Sequence, residues 1–455
     1  MTPIHIKKGM NIPLAGAPTQ EKKALPLTKR VAVYQEHAGL KPRLRVQEGD
    51  QVKRGTPLFY NKKVPDLQFC APAAGKITAI DYGPRRALQR VVIERSEQDE
   101  AETFTKYSAD QVRGVAREEI LKNLLQSGFL ALIRQRPFSR IADPEVTPKS
   151  IFVNGMNTAP FLPALDVAVQ GHELEFQAGL NALTRLTSGA VHLCLDGDAM
   201  PASTAITQAK NVQIHSFSGP HPSGNTSTHI FHIDPMEPLD KVWTVRGTDV
   251  VLIGQFLLSG EYPARKTIAL GGPGVKESAC MHYDVGLGSD LGEALAEKLE
   301  SKEQRIVSGD ALSGVSLEQS GFLRMTESSL TVLPEGREQF FLGWMAPGIN
   351  KYSRSKAYLS GWFGQMKKWN LTTSLNGSYR SMVLTGLYDK YVPLNIMVDY
   401  LVRAVLAHDT DEAIKLGILD TDPEDFALCS FVCPSKMDIA GIIRRGLDEI
   451  EQEGI

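Results

Sequence analysis

Between residues 30 and 95 the chain turns every few residues. Glu48-Gly49-Asp50 and Arg54-Gly55-Thr56-Pro57 break the stretch VQEGDQVKRGTPLFY twice, and a further glycine turn interrupts FCAPAAGKITAIDYG. Glycine and proline set the backbone angles that tight turns need. The segments between the turns are short and β-prone: Lys76-Ile77-Thr78-Ala79-Ile80 alternates, and Arg90 to Glu94 reads RVVIE. Many short strands with frequent turns predict a small β-barrel or sandwich here.

The rest of the chain follows other periods. REEILKNLLQSGFL carries Ile120, Leu124, Leu125 and Phe129 at helical spacing, while SIFVNG (from Ser150) and VHLCLDGD (from Val191) read as apolar strands ended by turns. That alternation predicts an α/β layered domain over 105–255. TIALGGPGV and RIVSGDALSGVSL return to strands and glycine turns, with LGEALAEKLE as a helix between them. From about Met397 the pattern is helical again. At roughly 100–200 residues per domain, a chain of 455 residues should hold three or four.

Composition removes several function classes. The formal net charge is −2, which favours neither a nucleic-acid partner nor a membrane surface. The N-terminus lacks the long apolar core of a secretory signal. The longest apolar run, VVLIGQFLL from Val250 to Leu258, falls well short of the roughly 18 residues of a membrane span and reads as a buried strand or helix. Cys70, Cys194, Cys280, Cys429 and Cys433 make an odd set in a chain too long to need disulfide staples, which fits a reducing cytoplasm.

One segment departs from the average. Residues 339–388 contain no Asp or Glu but six basic residues, and they hold three of the four tryptophans. Interfaces enrich Trp and deplete acids, so this segment is read as a docking surface, with Trp344, Trp362, Lys367, Lys368 and Trp369 as its candidate contacts.

Four motifs invite chemistry. EGDQVKRGTPL…APAAGKITAI resembles the barrel-sandwich hybrid of biotinyl and lipoyl domains; Lys62 and Lys63 lie at the carrier position, but their neighbours differ from a carrier's, and a structural barrel is the better reading. His215, His221, His229 and His232 crowd together. Read as a strand, THIFHID points His229 and His232 to opposite faces, so no metal is expected there. LGGPGV lacks phosphate-loop spacing and reads as a tight turn. EDFALCSFVCPSK ends in C-x3-C-P, the tail of a four-iron cluster motif, yet Phe426 and Pro423 stand where the two preceding ligands would be. Two thiolates, Cys429 and Cys433, cannot hold such a cluster.

These pieces, in this order, resemble the A subunit of the bacterial sodium-translocating NADH:quinone oxidoreductase. IKKGMNIPLAGAP, LQRVVIE, RPFS, SGPHPSGNTSTHI, GWMAPGINKYS, TTSLNGSYRSMV and LCSFVCPSK carry the likeness along nearly the whole chain. That family is similar in turn to the C subunit of the Rnf complex and to the flavin-bearing NADH-oxidising subunit of complex I. Those relatives hold flavin and NADH on a loop of the form GxGGAGFP. Here the equivalent stretch, Gly128 to Ser139, is GFLALIRQRPFS, with bulky residues where close approach needs glycine.

The resemblance implies an α/β and α+β multidomain chain. Its parts would be an N-terminal barrel-sandwich hybrid (1–104), a degenerate flavin-domain-like α/β core (105–260), a β-grasp domain of the soluble-ligand-binding type (261–330), the docking segment (331–396) and a helical C-terminal domain with the degenerate cluster motif (397–455). It implies one of six subunits of an enzyme that oxidises NADH, reduces ubiquinone and pumps sodium. The subunit would be peripheral, on the cytoplasmic face of the inner membrane, without catalysis of its own. Its partners would be the other five subunits, above all the membrane-embedded quinone-side subunit, with no nucleic acid. No tightly bound cofactor is expected, and ubiquinone is the expected ligand. A quinone head needs an apolar slot and one or two donors. GFLALIRQRPFSR offers Phe129, Leu132, Pro137 and Phe138 as walls and Arg134 and Arg136 as donors, at the place where relatives hold flavin. The alternatives are an Rnf-type electron-transfer subunit, opposed by the missing glycines and cysteines, and a carrier-like binding module outside respiration.

Overall fold

The computed structural model describes residues 2–454 except 38, 157, 302, 318–320, 339–340, 344, 364–367 and 384. The turn-dense segment forms two small antiparallel sheets. One orders Arg30–Tyr34, Leu88–Arg95, Gly75–Tyr82 and Gln51–Val52; the other orders Pro42–Leu44, Pro57–Asn61 and Val64–Cys70. Gly49 and Gly55 sit at φ near +96° and +95°, where the sequence places its turns. Val31, Phe59, Phe69, Ile77 and Ile93 fill the space between the sheets, with Phe59 and Phe69 stacked at 4.8 Å. Lys62 and Lys63 form the exposed turn of the Pro57–Cys70 hairpin.

This barrel does not stand apart. Its core runs without a break into that of the α/β layer. The join is the helix Arg117–Ser127 and its C-cap, Gly128, in left-handed conformation at φ +82°. A Cβ there would lie 2.3 Å from the Gln68 carbonyl oxygen of the barrel. Gly128 is thus required by a helix end and a close backbone crossing.

The α/β layer is a seven-stranded sheet in the order Ile4–His5, Gln213–Ser218, Val191–Asp196, Ser150–Asn154, Val242–Arg246, Arg134–Arg136, Arg140–Ile141. The first five strands are parallel; the last two form an antiparallel hairpin on the edge. Strands covered on both faces read as unbroken apolar runs, and Ile151, Phe152, Val153, Leu193, Cys194 and Leu195 are all fully buried. The run VVLIGQFLL is the middle of a helix, Gly247–Ser259. It packs so closely on the helix Glu173–Thr184 that a Cβ on Gly254 would lie 1.7 Å from the Glu175 carbonyl oxygen.

A third sheet orders Val315–Leu317, Gln304–Ser308, Ser329–Pro334, Arg265–Gly271, Met281–Gly286 and Lys22–Ala24. A hairpin, a short helix and a strand returning parallel to the hairpin's first strand give the β-grasp connectivity. The helix is shorter than LGEALAEKLE suggests. It spans Leu291–Leu295, because Leu299 bridges to Val275 and draws the chain back to the sheet. The C-terminal domain packs Val398–Leu406, Thr410–Lys415, Ala427–Val432 and Ile439–Glu453 around Tyr388, Leu401, Phe426, Cys429, Cys433 and Ile443. Between it and the third sheet, the described part of 335–396 is mostly irregular.

Two features of the topology go beyond the sequence reading. The start of the chain reaches outside the two small sheets: Ile4–His5 extends the central sheet beside Phe217 and Ser218, and Lys22–Ala24 extends the third sheet beside His282 to Asp284. Glycines make this route passable, since a Cβ on Gly9 would lie 2.1 Å from the His221 carbonyl oxygen and one on Gly16 2.4 Å from that of Gly272. THIFHID is not a strand but a helix, Thr226–Ile233. Its alternation is accidental, and burial of Thr226 to Ile230 against the sheet decides the conformation.

Candidate functional site

The parallel strands run in chain order from Ser150–Asn154 outward through Val191–Asp196 to Gln213–Ser218, then jump back to place Val242–Arg246 on the other side. Their carboxyl ends therefore diverge between Asn154 and Arg246. In open α/β sheets a crevice forms at such a switch point. Two helices begin at its rim, Thr226–Ile233 and Gly247–Ser259, and direct the positive ends of their dipoles into it.

The crevice has two lobes, of about 330 Å³ and about 460 Å³. Asn154, Thr226, Arg246, Glu327, Asp422, Glu424 and Arg444 line both. Asn154 is fixed by bonds from its Nδ2 to the Gly224 carbonyl (2.8 Å) and to Thr226 Oγ1 (3.2 Å). Arg246 donates to the Thr326 carbonyl at 2.7 Å and pairs with Glu327 at 3.3 Å.

The larger lobe is walled by the edge hairpin. Alternation along a strand sends side chains two apart to one face. Arg134 and Arg136 face the lobe, while Gln135 faces away and accepts from Trp243 Nε1 at 3.0 Å. Arg134 Nη1 donates to His37 Nδ1 at 2.9 Å. Burial, reinforced by Arg134, holds His37 well below its ordinary pKa, so the imidazole is neutral and can accept that bond. Arg136 is only 3% exposed and reaches Asp422 at 3.5 Å and Glu424 at 3.9 Å. Its Nε is buried with no hydrogen-bond partner among the described residues.

An acidic turn from the C-terminal domain closes the crevice. Asp422 caps the turn Pro423–Phe426 in a reciprocal capping box with Asp425. Burial would raise the Asp422 carboxyl, but Arg136, Arg444 and the Ser139 hydroxyl outweigh it and hold it below the ordinary range. Glu424 moves the other way: burial first, then the negative charges of Asp422 and Asp425, push its carboxyl up. Asp425 accepts from Asn225 Nδ2 at 3.0 Å. Pro423 and Phe426, at the two positions where a cluster motif has cysteine, belong to this turn, and Phe426 is fully buried. Cys429 and Cys433 are also fully buried; Cys433 Sγ lies 3.0 Å from the Tyr388 hydroxyl and accepts from the Met437 amide at 3.3 Å.

Of the residues expected to meet a quinone, Leu132, Arg134 and Arg136 line the lobe. Phe129 does not: it is fully buried, stacked on Tyr262 at 5.0 Å and tilted against Phe256 at 5.2 Å. The turn Phe129–Leu132 brings it onto the core helix instead. Phe138 is also displaced, because the hairpin turn after Pro137 inserts it into the C-terminal helical core, where its carbonyl accepts from Arg444 Nη1 at 2.9 Å. Pro137 is half-buried in that turn.

The docking candidates divide. Trp362 is 65% exposed and Lys368 is exposed. Trp369 is not a surface contact: it is 7% exposed, and its backbone pairs with Pro13 and Ala15 at the start of the chain. Trp344 and Lys367 lie outside the described residues. Phe341, Met345, Ile349, Leu375, Tyr379 and Val383, all at least 60% exposed, give the same segment an apolar surface.

The histidines are accounted for locally. His229 Nε2 donates to the Ser223 carbonyl at 3.1 Å, His232 Nδ1 lies 2.9 Å from the Thr228 carbonyl, and His215 lies 3.1 Å from His192. His221 reaches Thr158 Oγ1 at 3.1 Å on the wall of the smaller lobe. Among the described residues no three His, Cys, Asp or Glu side chains are disposed to hold a metal.

Sequence reasoning missed Asn154, Arg246, Asp422 and Glu424. A signal was present: SIFVNG and WTVRGT each end an apolar strand on a polar residue followed by glycine, which is how strands deliver side chains to a switch point.

Residues 4–96 match the model of the NqrA N-terminal barrel-sandwich hybrid domain, and residues 115–262 that of the NqrA second alpha/beta domain. The chain is 41% identical over 453 residues to the A subunit of the Na(+)-translocating NADH-quinone reductase of Pasteurella multocida (strain Pm70), covering 99% of this chain and 100% of that one. It is 41% identical over 455 residues, with the same coverage, to the protein of that name in Yersinia pestis bv. Antiqua (strain Angola). A solved NAD+-reducing [NiFe]-hydrogenase overlaps 76% of this chain and 64% of that chain at 13% identity and a TM-score of 0.39. Full-length identity to the two reductase proteins assigns the chain to the family of A subunits of the Na(+)-translocating NADH-quinone reductases.

Proposed function

We propose that this chain is the peripheral, cytoplasmic-side subunit of a sodium-pumping NADH:ubiquinone oxidoreductase, that it carries no flavin or iron–sulfur cluster of its own, and that the larger lobe of its crevice receives the ubiquinone head. The relatives' names supply the oxidoreductase and the coupling to sodium. Among the described residues no helix is long and apolar enough to cross a membrane, which fits attachment through partners. The exposed Trp362, Lys368 and their apolar neighbours are the surface for that attachment, to the membrane-embedded quinone-side subunit.

The reading without cofactors rests on packing. Where relatives lay a glycine loop under flavin, Phe129 and Leu130 are turned into the core, and the surviving Gly128 serves a helix end. Around Cys429 and Cys433 the space is filled by Tyr388, Phe426 and Met437.

The observation that carries the quinone assignment is Arg136. A buried donor without an acceptor costs roughly 1–3 kcal/mol, and the side chain that carries it lines a lobe of about 460 Å³, within the size range of small-molecule sites. A quinone carbonyl oxygen is an acceptor of the right kind, Arg134 can serve beside it, and Leu132 offers an apolar edge. Hydrogen–deuterium exchange of the purified protein with and without ubiquinone tests this. Exchange should slow in 132–141 and 420–426 and stay unchanged in the barrel hairpin 57–70. Protection confined to other segments would move the site away from the crevice.

A further inference from the structure

Among the described residues, Asp249 is the one carboxylate that touches both the quinone lobe and a second cavity. It stands in the first turn of the helix Gly247–Ser259 and is 4% exposed. On one side it lines the larger lobe of the crevice. On the other it lines a cavity of about 550 Å³ between that helix and the third sheet, whose outer wall includes His172, Glu175 and Arg265. Its neighbour Lys266 is fully engaged, with its ammonium donating to the carbonyls of Arg324 (3.0 Å), Met325 (2.7 Å) and Glu327. The Asp249 carboxyl itself makes no hydrogen bond or ion pair among the described residues.

We propose that Asp249 is a proton-relay residue for quinone reduction, passing protons from water in the outer cavity to the quinone in the lobe. This rests on the quinone reading above. Each quinone reduced to quinol takes two electrons, which the complex draws from NADH, and two protons. In the relay the Asp249 O–H bond breaks as an O–H bond forms on a reduced quinone oxygen, leaving a carboxylate. That carboxylate then takes up a solvent proton (a hydronium ion or a buffer acid) carried through the water of the outer cavity, so that the two protons of each quinol are drawn from solution.

The surroundings suit the task. The charged groups facing Asp249 are Arg246 from its own strand–helix junction, Arg134 from the edge hairpin, Lys266 from the third sheet and Glu327 from the loop before Ser329–Pro334. Burial pushes the Asp249 carboxyl up to about 6, against the pull of Arg246 and Lys266. A carboxyl with a pKa near the working pH both holds and releases a proton readily.

The test is Asp249→Asn in the whole membrane complex, read by NADH:ubiquinone turnover against pH, with exchange protection by ubiquinone measured in parallel. Protection in the crevice should persist, since the amide is isosteric. The kcat should fall about a hundredfold, the low end of what positioned acids contribute, with KM little changed. The wild-type loss of kcat as pH rises through about 6 should vanish, and Asp249→Glu or a small weak acid in the buffer should restore part of the rate. Persisting protection with wild-type kcat and pH profile would overturn the relay, as would loss of quinone protection in Asp249→Asn alone. Absence of protection in the wild type would instead remove the quinone site, and the relay with it.

Discussion

His229 shows how much a single buried residue can weigh. Burial first, then His232 and His215, lower its pKa to about 3, against a rise from its bond to the Ser223 carbonyl. A base whose folded pKa is depressed stabilises the fold fully above its unfolded pKa, near 6.5, and that contribution is lost as pH falls toward about 3. The span corresponds to an effect on the order of 4–5 kcal/mol. Asp249 opposes it, because a carboxyl raised to about 6 favours the fold as pH drops toward its unfolded value. The difference between variants isolates the histidine. Urea midpoints of wild type and His229→Leu should converge as pH falls from 7 to 4. A constant gap between them would show that His229 does not titrate in this way. The candidate site was only half legible at this scale. The sequence offered Arg134 and Arg136 as donors, and both line the lobe, but no local pattern could tell that Phe129 and Phe138, both apolar and in one short stretch, would be claimed by two different cores.

At the scale of elements, close contacts explain what propensity does not. Glycine in a helix interior ordinarily costs about 1 kcal/mol relative to alanine. Gly254 reverses the rule, because a Cβ would collide with backbone of the facing helix at Glu175. Gly254→Ala should destabilise the protein by at least about 2 kcal/mol, as overpacking does, in equilibrium denaturation; a stabilised variant would mean that the two helices can separate freely. The same logic divides what the sequence shows of the elements. The strands Ser150–Asn154 and Val191–Asp196 announce themselves as apolar runs ended by turns, and the helices Arg117–Ser127 and Ile439–Glu453 by their period. The helix Thr226–Ile233 does not, because its burial against the sheet decides it. Nor does the excursion of Ile4–His5 and Lys22–Ala24, whose partners lie more than 200 residues away.

At the scale of the whole molecule, the barrel and the α/β layer share one core, the C-terminal domain seals the crevice with its acidic turn, and the start of the chain is stitched into two sheets. What is left outward is the acid-poor segment. Combined Trp362→Ala and Lys368→Glu replacement should release the protein from native membranes without lowering its own melting temperature; normal retention would place the docking surface elsewhere. The segment's composition was plain in the sequence, but the inward turn of Trp369 was not, because its partners are Pro13 and Ala15 at the opposite end of the chain. The central claim, a quinone held at the crevice by Arg136, is tested most directly by titrating ubiquinone against the purified protein and its Arg136→Lys variant. Lysine keeps the charge but loses the planar fork and the Nε donor. The account predicts saturable one-to-one binding to the wild type and an affinity at least about tenfold weaker in the variant, roughly 1.4 kcal/mol, with the fold intact. Equal affinities, or no saturable binding to the wild type, would contradict it.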